Sequence, residues 1–391
     1  MFTGTNLLWL LLPVAAASGW IAHGFARRRR RAAALARFST SYFRGLNYLL
    51  NEQPDKAIEV FLKIAELDRD TVETHLALGN LFRRRGEMDR AIRFHQNLVS
   101  REGLSQEQRT TAILELGEDF MRAGLLDRAE RLFMELDKMK EHRPQALKHL
   151  IDIYQQEKDW DKSIEYARTL EKVSGEDMSP VIAQYFCEIA EAMWKAGNAA
   201  SARNQARRAL AVDASCVRAS MLEGDMAIAE GECQAAIDSY RRATEQDMDY
   251  IPDILEPILR CYDSSGKRDE AIDFLRHVIE NYQGVSPVIA LAELTLETEG
   301  RGEAVEFISG QLRQRPSVRG LAYLIGLNLH DSEGQARDNL LILQDLTSKL
   351  LEGKPVYRCN HCGFGTRSLH WQCPSCKRWN SVKPIHGVAG E

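Results

Sequence analysis

Hydrophobic residues are arranged differently in the two parts of this chain. Across residues 1–26 no Asp, Glu, Lys or Arg interrupts them, whereas from Phe38 onward they recur among charges at helical spacing. Residues 6–25 form a 20-residue apolar run led by Leu7, Leu8, Trp9, Leu10, Leu11 and Leu12. As a helix this run spans about 30 Å, the thickness of a bilayer's hydrocarbon core. Pro13 and Gly19 are tolerated in such helices, and Trp20 and His23 suit the interface. Five consecutive Arg at 27–31 follow at once and hold their side in the cytosol. A cleaved signal peptide is the rival reading, because Ala15-Ala16-Ala17 mimics a cleavage site; such peptides, however, carry their charge before the apolar run. The expectation is a single-pass anchor at 1–26 and a basic cytosolic flank at 27–37. The N-terminus would then be periplasmic, in contact with inner-membrane lipid, and the bulk of the chain cytoplasmic.

The remaining hydrophobic pattern repeats. Gly45, Tyr48 and Ala57 recur 34 residues later as Gly79, Phe82 and Ala91, and the same internal spacing returns at Gly117, Phe120, Ala129 and Phe133. A worn copy follows at Tyr154, Ser163 and Ala167. Further copies lie at Ala190, Ala202, Ala206 and Ala209, at Gly224, Ala236, Tyr240 and Ala243, at Tyr262, Ala271 and Leu275, and at Ala292, Ala304, Ile308 and Pro316. This resembles the tetratricopeptide repeat, a pair of antiparallel helices with a period of 34 residues. Small residues at the eighth and twentieth positions let backbones approach, and large ones at the eleventh and twenty-fourth fill the gaps. Breaks such as Arg85-Gly86-Glu87, Ala123-Gly124, Ala196-Gly197-Asn198, Glu230-Gly231 and Ser265-Gly266 precede each second helix. The expected large aromatic at the fourth position is missing (Ser41, His75 and Ile113 stand there), and longer connections at 100–108 and 173–180 interrupt the period.

The expected architecture is therefore mostly α: a tetratricopeptide-repeat solenoid at 38–352, preceded by the transmembrane helix and followed by a small ribbon at 353–391. A solenoid presents a concave surface lined by first helices. The alignment turns Asn80, Arg83, Arg84, Glu118 and Arg122 toward it. Those residues form either a partner-binding groove or an ordinary solvated face.

Charge sharpens this picture. Net charge is −5, yet residues 1–31 and 353–391 each carry +5, which leaves 40 basic against 55 acidic residues at 32–352, or −15. An acidic middle repels phosphate, so nucleic acid is not an expected partner. Cys187, Cys216, Cys233 and Cys261 are scattered and read as core residues. No phosphate loop, nucleophile elbow, dinucleotide fingerprint or His-Glu-x-x-His is present, so an enzyme is not expected.

The other four cysteines carry chemistry. Cys359-x2-Cys362 and Cys373-x2-Cys376 lie ten residues apart, and each pair makes a turn that aims two thiolates at one point. Together they predict a tetrahedral site for one metal ion, iron or zinc, between which spacing does not choose. The pairs look like the knuckles of rubredoxins and zinc ribbons. They depart from rubredoxin in a shorter gap and in Lys377, which stands where the second knuckle would have Gly. A segment this short does not fold on its own core, and the metal supplies the missing free energy. The helix expected at 340–352 ends close to Cys359, and the ribbon is basic, with Tyr357, Phe364, Trp371 and Trp379 too many aromatics for its own core. The ribbon is therefore expected to dock on the last repeats.

Anchor, arginine stop, worn repeats and ribbon occur here in one order. With Leu-Leu-Pro-Val-Ala-Ala-Ala at 11–17, Leu-Gly-Asn-Leu-Phe at 78–82, Gly-Leu-Leu-Asp-Arg-Ala-Glu at 124–130 and His-Trp-Gln-Cys-Pro-Ser-Cys at 370–376, the chain closely resembles the lipopolysaccharide assembly protein B family of Gram-negative bacteria. The resemblance implies an adaptor that restrains lipopolysaccharide synthesis by promoting degradation of the deacetylase LpxC by the membrane protease FtsH. It also implies an inner-membrane regulator that meets the transmembrane helix, and it makes the four clustered cysteines the metal ligands. Two other readings stay open: a general scaffold for envelope assembly without a proteolytic role, and a redox protein built on an iron tetrathiolate. Self-association into a homo-oligomer is left open as well.

Overall fold

The computed structural model describes residues 43–48, 50–51, 53–67, 72–388 and 390–391. The expected anchor and basic flank lie outside the described residues, and no helix among those residues is long and apolar enough to cross a membrane. The chain divides between Glu157 and Lys158 into two compact units.

After a helical stretch at 43–48, the first unit holds α1 (Pro54–Leu67), α2 (Val72–Arg84), α3 (Met88–Val99), α4 (Gln106–Arg122), α5 (Leu126–Met139) and α6 (Arg143–Glu157). The second continues with α7 (Trp160–Ser174), α8 (Ser179–Lys195), α9 (Ala199–Val212), α10 (Val217–Ala229), α11 (Cys233–Gln246) and α12 (Ile251–Ser264). It proceeds through α13 (Arg268–Asn281), α14 (Ser286–Thr298), α15 (Arg301–Gln314), α16 (Val318–Leu329) and α17 (Gly334–Leu351) to the strands β1 (Tyr357–Cys359), β2 (Gly365–Thr366) and β3 (Val382–Pro384). A mostly helical repeat array followed by a cysteine ribbon is the architecture that the spacing predicts.

The spacing works because two helices touch at a residue without a side chain. A Cβ on Gly45 would lie 2.7 Å from the Phe61 ring, one on Gly117 2.6 Å from Phe133, and one on Gly224 2.7 Å from Tyr240. Each pair is sixteen residues apart, so the eighth position of a repeat seats the ring at its twenty-fourth. Gly79 does the same with His95, an imidazole where its sister repeats carry a phenyl or phenol. The small residues at position twenty, Ala57, Ala91, Ala129, Ser163, Ala202, Ala236, Ala271 and Ala304, are all buried. Between helices the chain reverses through one recurrent cap. Gly86 and Gly124 take φ of 79° and 74°. The next residue's N–H returns to a carbonyl five positions back, Glu87 to Phe82 and Leu125 to Phe120, both at 2.9 Å. This arrangement satisfies orphan carbonyls at the helix end. The longer connection near residue 100 restarts through a capping box in which Ser105 and Gln108 exchange side-chain and backbone bonds.

Candidate metal centre

β1 lies between β2 and β3, antiparallel to both, with Cys359 opposite Val382 and Tyr357 opposite Thr366 and Pro384. This sheet fixes the first knuckle. The Gly363 N–H donates to Cys359 O at 2.9 Å, and the Cys359 N–H donates to Phe364 O at 2.8 Å. The second knuckle repeats both bonds: Lys377 N–H to Cys373 O and Cys373 N–H to Arg378 O, each 2.9 Å. Gly363 has φ 77° and Lys377 has φ 60°, so Lys377 adopts the left-handed turn that glycine provides in the first knuckle. A non-glycine residue pays about 1 kcal/mol or more for this conformation. The departure noted in the sequence therefore leaves the knuckle geometry intact.

The four sulfurs all lie within 4.8 Å of one another. Cys359 and Cys376 Sγ are 3.7 Å apart, and Cys362 and Cys373 Sγ 3.6 Å. A tetrahedron with metal–sulfur bonds of about 2.3 Å has edges of about 3.8 Å, whereas a disulfide would need about 2.05 Å. The thiols thus fit a tetrathiolate ion. Cys359 and Cys373 are buried, Cys376 is half-buried and Cys362 is exposed. Burial opposes the Cys359 thiolate, but Ser381 Oγ at 3.3 Å and the amides of Cys362 and His361 outweigh it and bring the thiol down to about 5. The Arg378 amide favours the Cys376 thiolate, yet burial and the three neighbouring thiols push it up to about 11. A cation at the centre would turn the second effect around by neutralising the crowded sulfurs.

The ribbon does dock on the array, but on the middle of the second unit rather than on the last repeats alone. Two indoles bracket the second knuckle. They are held together by the isolated bridge between Gln372 and Trp379 and by the Asn380 N–H donating to Trp371 O at 2.8 Å. Between them sits Arg218 of α10, its guanidinium 5.7 Å from the Trp371 ring and 5.9 Å from the Trp379 ring. Arg218 is buried and bonds Glu191 at 2.6 Å, Glu188 at 2.8 Å and Gln184 at 3.3 Å. Trp371 stacks on Tyr250 with centroids 5.0 Å apart. Trp379 meets Trp160 and Tyr185 edge-on. Lys383 pairs with Asp247 and Asp249 and lies 4.0 Å above the Tyr250 ring, and His386 reaches Asp249 at 3.2 Å. Further along, Glu391 pairs with Arg319 and accepts from Ser286 Oγ at 2.6 Å. The seat is set by the acids at 247–253 and the surrounding rings, and these lie in the middle of the unit.

The five residues assigned to the concave face have different fates within the first unit. Asn80, Arg83 and Glu118 come together, but they engage one another. Arg83 is buried and donates to Asn80 Oδ1 at 2.7 Å and Glu115 O at 2.9 Å. It also pairs with Glu115, with Glu118 at 3.1 Å and with Asp119 at 3.0 Å. Burial works against its charge, and these three carboxylates outweigh it and keep the guanidinium protonated. Glu118 is held below the usual carboxylate range by His149 at 3.4 Å, against the effect of burial. Arg84 and Arg122 stay exposed. Asp119, which repeat spacing does not single out, is fully buried beside Arg83, and its other oxygen lies 2.6 Å from His95 Nδ1. Charged and polar residues at repeat positions otherwise filled by core side chains were the signal available.

Comparison with known proteins spans array and ribbon together. Lipopolysaccharide assembly protein B of Escherichia coli K12 is 38% identical over 386 residues, covering 98% of this chain and 99% of that protein. The chain belongs to the lipopolysaccharide assembly protein B family. The Haemophilus influenzae protein of the same name is 34% identical, covering 97% of this chain and 98% of its own length. Residues 357–384 match the rubredoxin metal binding domain and so contain all four cysteines, while residues 74–107 and 187–251 match tetratricopeptide repeats. Among solved structures, the C-terminal part of a repeat protein from Cytophaga hutchinsonii is similar at 12% identity and TM-score 0.38, covering 68% of this chain and 98% of that one.

Proposed function

We propose that this chain is a membrane-anchored adaptor, not an enzyme, which restrains lipopolysaccharide synthesis by promoting FtsH-dependent proteolysis of the deacetylase LpxC. The observation that carries the reading is similarity along nearly the whole chain to proteins named for lipopolysaccharide assembly. The repeat array supports it as a surface for other polypeptides. An anchor at 1–26 in the inner membrane would hold that surface beside a membrane-bound protease and raise the local concentration of substrate. The same segment would meet the inner-membrane regulator. On the array, Arg84 and Arg122 are the proposed partner contacts, with Asn80, Arg83 and Glu118 shaping the surface beneath them. In the ribbon a bound iron or zinc ion supplies a cross-link between the two knuckles.

The test is the half-life of LpxC in a chase after depletion of this protein. The adaptor reading expects a clear lengthening. An unchanged half-life favours the second reading, a general envelope scaffold without a proteolytic role, which the relatives' name, with its emphasis on assembly, also suits.

A further inference from the structure

Beneath the ribbon, the array offers a chemically distinctive surface. Trp160, Tyr185 and Tyr250 provide ring faces. Around them stand five carboxylates: Glu188 and Glu191 on α8, and Asp247, Asp249 and Asp253 at the start of α12 and just before it. Arg218, neutralised by the two glutamates, forms the floor. A surface rich in rings and carboxylates takes a cationic segment carrying indoles, through cation–π contacts, stacking and charge pairing.

The ribbon is such a segment. Residues 367–386 carry four Lys or Arg, two Trp and no acid. Its grip depends on the second knuckle, because Trp371 and Trp379 stand on either side of Cys373 and Cys376. Without an ion to join the knuckles, a ribbon of this size does not keep its fold, and the paired indoles lose the frame that presents them to Arg218. The tether between Leu351 and Tyr357 is short, so the folded ribbon faces its seat at an effective concentration on the order of millimolar or more, which excludes an ordinary competitor.

From this juxtaposition we infer that the surface around Arg218, Tyr250 and Asp249 is a metal-gated binding site for a basic, tryptophan-bearing segment of another protein, and that the ribbon is its resident occupant. With the ion in place the site is closed. With the ion lost, the ribbon unfolds and the site takes the segment in trans.

The experiment uses the full chain in detergent, reduced, either metal-loaded or stripped of its ligands by Cys359→Ser, Cys362→Ser, Cys373→Ser and Cys376→Ser. The probe is a fluorescein-labelled, zinc-folded peptide of residues 353–391, read by anisotropy. Binding at least tenfold tighter to the stripped protein is expected, lost when a chelator unfolds the probe, and lost in the stripped chain that also carries Asp247→Asn and Asp249→Asn. An acidic peptide of equal length should not bind. Equal binding in both states, or none by stripped protein that keeps its helical circular dichroism, overturns the inference. If stripping melts the helices, the metal-loaded double variant Trp371→Ala, Trp379→Ala decides instead. With metal content unchanged, it should bind the peptide, and failure to do so overturns the inference equally.

Discussion

Tyr357 Oη donates a 2.7 Å hydrogen bond to Asp253 Oδ1, joining a ribbon strand to an array helix 104 residues earlier. The other carboxylate oxygen, Asp253 Oδ2, is buried without a partner. Burial raises the Asp253 pKa, and the tyrosine's bond only partly offsets it. An acid whose folded value exceeds its unfolded value favours folding most below the ordinary aspartate range and loses that advantage as pH rises through the folded value. Asp253→Asn keeps an acceptor for Tyr357 and does not titrate. Urea denaturation at several pH values should therefore show the variant gaining on the wild type as pH rises from about 4 to 7. A constant difference would contradict the role given to this carboxyl.

At the helix contacts, Gly117→Ala drives a methyl into the Phe133 ring and should cost about 1–3 kcal/mol. Adding Phe133→Leu should recover part of that loss, since the double variant restores room. Gly310 in α15 is exposed and has nothing within 4 Å of a built Cβ. Gly310→Ala should stabilise by roughly 0.5–1 kcal/mol through helix propensity. Denaturation midpoints of the three variants check the contrast.

Much of this was legible in advance. Ala57, Ala91 and Ala129 announce the helix pairs because close packing tolerates little else at their position, and the cysteine pairs announce the ion because four thiolates must converge. What stayed hidden needed tertiary placement. Arg83 sits at a spacing that points to the concave face, yet Glu115 and Asp119 come from α4 and enclose it. The seat of the ribbon depends on bonds such as Lys383 to Asp247 and Tyr357 to Asp253, across more than a hundred residues each. Overall charge announced the attraction between ribbon and array but not the address.

Arg83 and Arg84 are adjacent, and their substitutions should behave oppositely. Arg83→Met leaves the fully buried Asp119 and the part-buried Glu115 without their cation and should cost about 3–5 kcal/mol. Arg84→Glu changes an exposed side chain and should move stability by no more than about 0.5 kcal/mol. If Arg84 contacts a partner, its reversal lowers LpxC turnover in cells while the melting temperature stays put. Unaltered turnover would remove Arg84 from the proposed contacts.

The two knuckles make a matched pair for substitution. Gly363→Ala places a Cβ at φ 77° and should speed metal loss to a chelator, on the order of fivefold for about 1 kcal/mol of strain. Lys377→Gly relieves the same strain at φ 60° and should release metal no faster than the wild type. Absorbance of the chelator complex over time distinguishes them.

The adaptor account is tested most directly by reconstitution. LpxC and FtsH are combined with ATP in lipid vesicles, with or without the full-length, metal-loaded chain, and intact LpxC is followed by gel. LpxC should disappear several-fold faster when the chain is present. The same rate with and without it would contradict the account.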